Sequence, residues 1–213
     1  MIVAIDGPAA SGKGTLARRL ATHFNFAFLD TGLLYRATGL HLLVAGGNPE
    51  DWNDAEAAAR RVRPDDLGDA RLRGEDIAGL ASKVAVVPGV REALLRFQRD
   101  FAAAPPSGKS GAVLDGRDIG TVVCPGAPAK IFVTASTEAR ARRRLKELRE
   151  RGVEAIYERV LQDMQDRDVR DSRRQTAPLK AADDAFVLDT TDLDADAAFA
   201  VARDYVASKL PAT

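Results

Sequence analysis

Gly7-Pro8-Ala9-Ala10-Ser11-Gly12-Lys13-Gly14-Thr15 combines glycines at fixed spacing with a single lysine, the pattern of a loop that wraps phosphate oxygens. Glycines let backbone N–H groups turn inward around an anion, and the start of a following helix adds partial positive charge. Lys13 then reaches the outer phosphates of a nucleoside triphosphate such as ATP as a point charge. The stricter motif has Ser or Thr directly after the lysine, whereas here Gly14 intervenes before Thr15. That spacing predicts no direct protein ligand to Mg²⁺: the ion is held through nucleotide oxygens and water, with Thr15 and Asp115 as the side chains in reach. A glycine-rich turn with a surface lysine is the plainer alternative, and the apolar run before the loop and the helical pattern after it argue against that.

A phosphate loop specifies a nucleotide and not a reaction. In parallel sheets, ligands collect at the carboxyl ends of strands, and two further polar clusters follow short apolar runs: Asp30-Thr31-Gly32 with Tyr35-Arg36, and Asp115-Gly116-Arg117-Asp118. Phosphoryl transfer to an anionic acceptor needs the acceptor's charge neutralised and the reacting oxygens aligned. Arg36 and Arg117 suit bidentate phosphate contacts. Asp115 is placed to orient Mg²⁺ or its waters, the alternative being a simple turn cap. Eleven arginines lie between Arg140 and Arg174. Arg167, Arg170 and Arg174, interleaved with acids, read as a loop that closes over phosphates and excludes water. Arg140, Arg142, Arg143, Arg144 and Arg149 read mostly as a solvated, salt-bridged helical face.

Five short apolar runs, at 2–5, 27–29, 112–114, 131–133 and 185–188, read as buried strands. Helical spacing is expected at 14–24, 35–44, 81–101, 138–151, 154–167 and 194–210, so strands and helices alternate as in a parallel α/β sheet. Residues 48–79 are polar and weakly periodic, and read as a small mobile excursion. Pro105-Pro106-Ser107-Gly108 reads as a linker.

The composition narrows the class. Of 213 residues, 46% are hydrophobic and 29% charged, which is ordinary for a soluble globular chain. No apolar run approaches the ~20 residues of a membrane span, and residues 1–7 lack the features of a secretory signal. Cys124, the sole cysteine, cannot form an internal disulfide. A cytoplasmic enzyme is the simplest reading, expected to be a monomer that acts on small-molecule nucleotides with no membrane partner. Acids and bases balance at 31 each, so no overall charge draws nucleic acid.

Taken together, the chain resembles bacterial cytidylate kinase over nearly its whole length. The resemblance rests on Asp6-Gly7-Pro8 through Lys13-Gly14-Thr15, Asp30 through Arg36, and Ala81-Ser82-Lys83-Val84-Ala85 with Pro88 through Leu94. It continues through Asp115 to Val123 and Arg167 to Arg174, ending in Ala177-Pro178-Leu179. It implies an α/β, three-layer, P-loop NTPase-type fold with a five-stranded parallel sheet. The core would comprise 1–36, 84–150 and 180–213, with a nucleoside-monophosphate-binding insert at about 37–83 and an arginine-rich lid at about 151–179. It also implies transfer of the ATP γ-phosphoryl to CMP or dCMP with Mg²⁺. By position, residues 7–15 would hold ATP, and Lys13, Asp115, Arg117 and Arg174 would serve the transfer. Thr31, Arg36, Ser82, Arg91, Arg117, Asp118, Arg167 and Asp171 would contact CMP, Thr31 standing where the family usually has Ser. The insert departs from the family: a half-dozen residues with an Ile-Arg-Thr-like element are missing between Ile77 and Ala81.

Three alternatives remain at this level. A kinase of the same fold acting on UMP, shikimate or dephospho-coenzyme A shares the loop but gives no reason for residues 115–118 together with 167–174. A nucleotide switch lacks its Asn-Lys-x-Asp element, since none of Asn25, Asn48 and Asn53 precedes a lysine. A nucleic-acid-associated ATPase would need a sustained basic surface.

Overall fold

The computed structural model describes residues 1–210. Five strands, β1 (Ile2–Asp6), β2 (Ala27–Asp30), β3 (Ala112–Gly116), β4 (Ala129–Thr134) and β5 (Phe186–Asp189), form one sheet in the order β2-β3-β1-β4-β5. The registered pairs are parallel, with Ile5 opposite both Asp115 and Ile131. Val3, Ala4 and Ile5 are wholly buried, which is why the central strand is a continuous apolar run and not an alternating one. At the edge, β5 alternates, burying Leu188 and exposing Val187.

The chain divides into two compact units, Met1–Phe28 with Pro105–Thr213, and Leu29–Ala104. In the first, α1 (Lys13–His23) buries Leu16, Ala17, Leu20 and Ala21, an i, i+1, i+4, i+5 face. The last helix, α8 (Ala195–Ser208), buries Ala198, Ala202 and Val206 in the same core. Two arginine-rich helices, α6 (Thr137–Glu150) and α7 (Tyr157–Ser172), share a small cluster of Ala141, Leu148, Val160 and Met164.

The second unit is helical. It holds α2 (Thr31–Val44), α3 (Trp52–Arg60), α4 (Glu75–Val84) and α5 (Pro88–Ala103), with two short 3₁₀ turns between α3 and α4. Its core includes Leu34, Leu42, Ala55, Ala58, Leu72, Ile77, Val84, Val90 and Leu94. The small excursion expected at 48–79 is a folded one, holding α3, the two 3₁₀ turns and the start of α4. Asp51 caps α3 by accepting from the Asn53 and Asp54 amides, and α3 buries only alanines, too small to give a strong periodic signal. The single helix expected at 81–101 is two helices. Pro88 occupies the first turn of α5 and Val87 before it is extended, as the steric demands of proline require. No helix among the described residues is long and apolar enough to cross a membrane.

Candidate active site

Gly7 leaves β1 with φ 151°, and a Cβ there would stand 2.0 Å from the Val133 carbonyl oxygen, so no other residue fits. The loop then turns through Ala10 at φ 56°, a left-handed alanine whose local cost is about 1 kcal/mol. Two carbonyls of the loop are tied outward. Ala9 O accepts from Arg140 Nη1 at 3.3 Å, and Ser11 O accepts from Thr190 Oγ1 at 2.9 Å. Thr190 is itself gripped by Arg143, which donates to both its hydroxyl and its carbonyl oxygen. Holding carbonyls outward favours amides facing the interior of the loop, the geometry of an anion cradle. Inside it, the wholly buried Ser11 hydroxyl has no hydrogen-bond partner among the described residues, which fits a phosphate oxygen as its acceptor.

Lys13 begins α1, and its Nζ lies 3.7 Å from Asp115 Oδ1 at the end of β3. Gly14 is what lets this carboxylate approach, because a Cβ on residue 14 would stand 3.2 Å from Asp115 Oδ2. The departure from the stricter lysine-serine motif thus has a local steric reason. The Asp115 carboxylate and the Thr15 hydroxyl are hard oxygen donors, the type Mg²⁺ or its bound water prefers.

Behind the loop, the buried Asp6 carboxylate accepts from the amides of Ile119 and Gly120, each at 2.7 Å. These residues open a π-helical turn, Ile119–Val123, which the apolar spacing did not reveal. Burial pushes the Asp6 pKa up to about 7, the two amide bonds oppose this, and the charges of Asp118 and Asp115 add to it. A carboxyl raised above its unfolded value of 3.8 keeps its proton in the native chain where the unfolded chain has lost it. Stability therefore rises as pH falls from about 7 towards 4. Between pH 8 and pH 6 the native state should gain about 1 kcal/mol from this group. Urea titrations at the two pH values should show that gain in the natural chain and lose it in Asp6→Asn; a natural chain that weakens between pH 8 and pH 6 contradicts the assignment.

The arginines of α6 and α7 separate into distinct groups. Arg140 and Arg143 are not a solvated face, which corrects the sequence expectation. Arg140 is only 3% exposed, and besides Ala9 it binds the Ala135 carbonyl, the Thr137 hydroxyl and, at 3.1 and 2.5 Å, both carboxylate oxygens of Asp168. It joins the phosphate loop to α7. The segment expected as a lid loop is the end of that helix, with Arg167 and Asp171 one turn apart and Arg174 just beyond its last residue. Asp171 is buried between Arg117, whose Nε donates at 3.0 Å, and Arg174, which donates to the other oxygen. Burial pushes the Asp171 carboxyl up, but the charges of Arg117, Arg174 and Arg167 and the Arg117 bond outweigh it and hold the group below the usual carboxylate range. Two guanidiniums thus bond one carboxylate and the charge of a third acts on it, a local excess of positive charge suited to an anion. Arg170 is exposed.

The remaining candidates lie in the second unit. Asp30 caps α2 by accepting from the Gly32 amide at 3.0 Å, which leaves buried Thr31 at the first helical position. Arg36 Nη1 donates to Leu72 O at 2.7 Å. Arg91 is buried, donates to Ala85 O at 3.2 Å and lies 5.6 Å from the Tyr35 ring centroid. Ser82 is 4% exposed, and its hydroxyl has no hydrogen-bond partner among the described residues. The first unit accordingly brings together Lys13 with Asp115, and Arg117 with Asp171 and Arg174, while Asp118 precedes the π turn. Sequence reasoning missed Asp6, Arg140, Arg143, Asp168 and Thr190 as supports. Asp6 carried a signal, an acid closing an apolar strand; the others meet their partners only through the fold.

A strand, glycine loop and helix built on a parallel sheet in this order define a P-loop NTPase-type fold. The chain belongs to the cytidylate kinase family, whose profile matches residues 3–207. It is 64% identical over 208 residues to the cytidylate kinase of Paramagnetospirillum magneticum, covering 98% of each chain. It is 59% identical over 210 residues to the cytidylate kinase of Rhodospirillum rubrum, again covering 98% of each. Among solved structures, an uncharacterized protein from Eubacterium ventriosum aligns at TM-score 0.55 and 15% identity, covering 98% of this chain and 99% of that one, a likeness of fold alone.

Proposed function

We propose that this chain transfers the γ-phosphoryl group of ATP to CMP and dCMP, giving CDP and dCDP. Family membership supports the reaction, and the observation that carries it here is a phosphate cradle together with two guanidiniums, Arg117 and Arg174, bonded to one buried carboxylate. In this reading the amides of residues 7–15 hold the triphosphate and Lys13 offsets charge on its outer phosphates. Arg117 and Arg174 neutralise the phosphates that react, and Asp171 fixes both guanidiniums in place. Thr31, Arg36, Ser82, Arg91, Asp118 and Arg167 serve CMP binding, with residues at about 37–83 as the acceptor-binding insert and about 151–179 as the lid. Mg²⁺, when bound, neutralises triphosphate charge and helps align the transferred group; Thr15 and Asp115 would hold its waters. A cytoplasmic monomer is part of the proposal.

An acceptor panel tests it. ADP release should be strongly stimulated by CMP and dCMP and hardly by water alone. Discrimination against UMP should reach about 5- to 150-fold, because uracil reverses hydrogen-bond polarity at one ring edge and strands a buried group at about 1–3 kcal/mol. Equal ADP release with and without acceptor would sink the proposal.

A further inference from the structure

The first amides of a helical turn have no partner within the turn, and a side chain at its N-cap usually supplies one. At the π turn Ile119–Val123 the N-cap residue is Asp118, and its side chain makes no capping bond. Asp6 caps instead, from 113 residues away, one oxygen on each of the first two amides. The turn is closed by bonds from the Val123 amide to Asp118 O and from the Cys124 amide to Ile119 O, a five-residue spacing that is rare and frequently found at functional sites. The backbone of Asp6 is itself fixed, registered between Gly116 and Phe132 and followed directly by Gly7.

From this arrangement we infer that Asp6 is a positioning residue for the acceptor: by capping the turn in place of Asp118, it holds Arg117 and Asp118 at a set distance from the phosphate loop. The inference rests on the reading that Arg117 and Asp118 serve acceptor binding. Its chemistry requires a carboxylate. Only a group with two acceptor oxygens and no donor satisfies both amides; asparagine would offer one oxygen and turn an NH₂ towards the second N–H. The buried charge also lowers stability at neutral pH, which is the expected mark of a group kept for function.

The test is steady-state kinetics of Asp6→Asn at pH 8 with CMP and ATP varied separately, together with hydrogen exchange at the Ile119 and Gly120 amides. The Michaelis constant for CMP should rise about tenfold, that for ATP should stay within twofold, and both amides should exchange faster. A fall in kcat with both Michaelis constants unchanged, or full protection of the two amides, overturns the inference. Arg117→Ala and Asp118→Asn separate it from the reading beneath it. If neither raises the CMP constant, that reading fails; if both do and Asp6→Asn does not, only the inference fails. Should Asp6→Asn not fold, Asp6→Ser decides, since its smaller side chain offers a single acceptor oxygen and leaves one of the two amides uncapped without setting an NH₂ against it. A raised CMP constant supports the inference and an unchanged one overturns it.

Discussion

Lys13→Ala is expected to lower kcat by about three orders of magnitude while the chain stays folded. The fold does not depend on this side chain, because α1 is anchored by Leu16, Ala17, Leu20 and Ala21 on its buried face. What the ammonium supplies is a positive charge at the mouth of the loop, 3.7 Å from the Asp115 carboxylate. Its removal leaves Asp115 buried beside Asp6 without that countercharge, so the site becomes more negative where a triphosphate must bind. Circular dichroism and a melting curve should show the native fold, and single-turnover kinetics should show the lost rate. Near-normal turnover would place the outer phosphates elsewhere.

Arg174→Ala is expected to lower kcat by about 10³-fold and to change ATP affinity by no more than a few-fold, the lower end of the range for arginines that stabilise transferring phosphoryl groups. Arg174 is buried against Asp171, which also accepts from Arg117. Part of the effect is therefore structural, since breaking a buried pair costs about 3–5 kcal/mol when its partner is left behind. Lys130→Ala supplies the comparison. Lys130 is equally buried and binds Asp184 at 2.8 Å, but it belongs to no arginine cluster and should lower the melting temperature with little change in kcat per folded molecule. If Arg174→Ala behaves the same way, its guanidinium is a brace and not part of the transfer.

The sheet was legible because its strands are short, continuously apolar and separated by helical periods, and parallel burial on both faces produces that pattern. The loop was legible because its chemistry demands glycines and a lysine at close sequence spacing. Helices α3 and α4 were harder to read, since α3 packs through alanines. The break before α5 was written in Pro88 but overridden by the apolar run around it. The arginines illustrate the limit best. Arg140 and Arg144 are the same residue type on one helix, yet Arg140 meets Asp168 and the loop carbonyl of Ala9, whereas Arg144 pairs with Glu147 at the surface. No local spacing distinguishes them, because the partners of Arg140 lie 28 and 131 residues away. Asp6 is similar: its position closing a strand is visible, but its bond to a turn more than a hundred residues later is not.

Tracing labelled phosphate from [γ-³²P]ATP in the presence of CMP tests the central claim most directly. Label should leave ATP only when the acceptor is present and be recovered in the β-phosphate of CDP. Recovery as inorganic phosphate, at a rate indifferent to CMP, would contradict it.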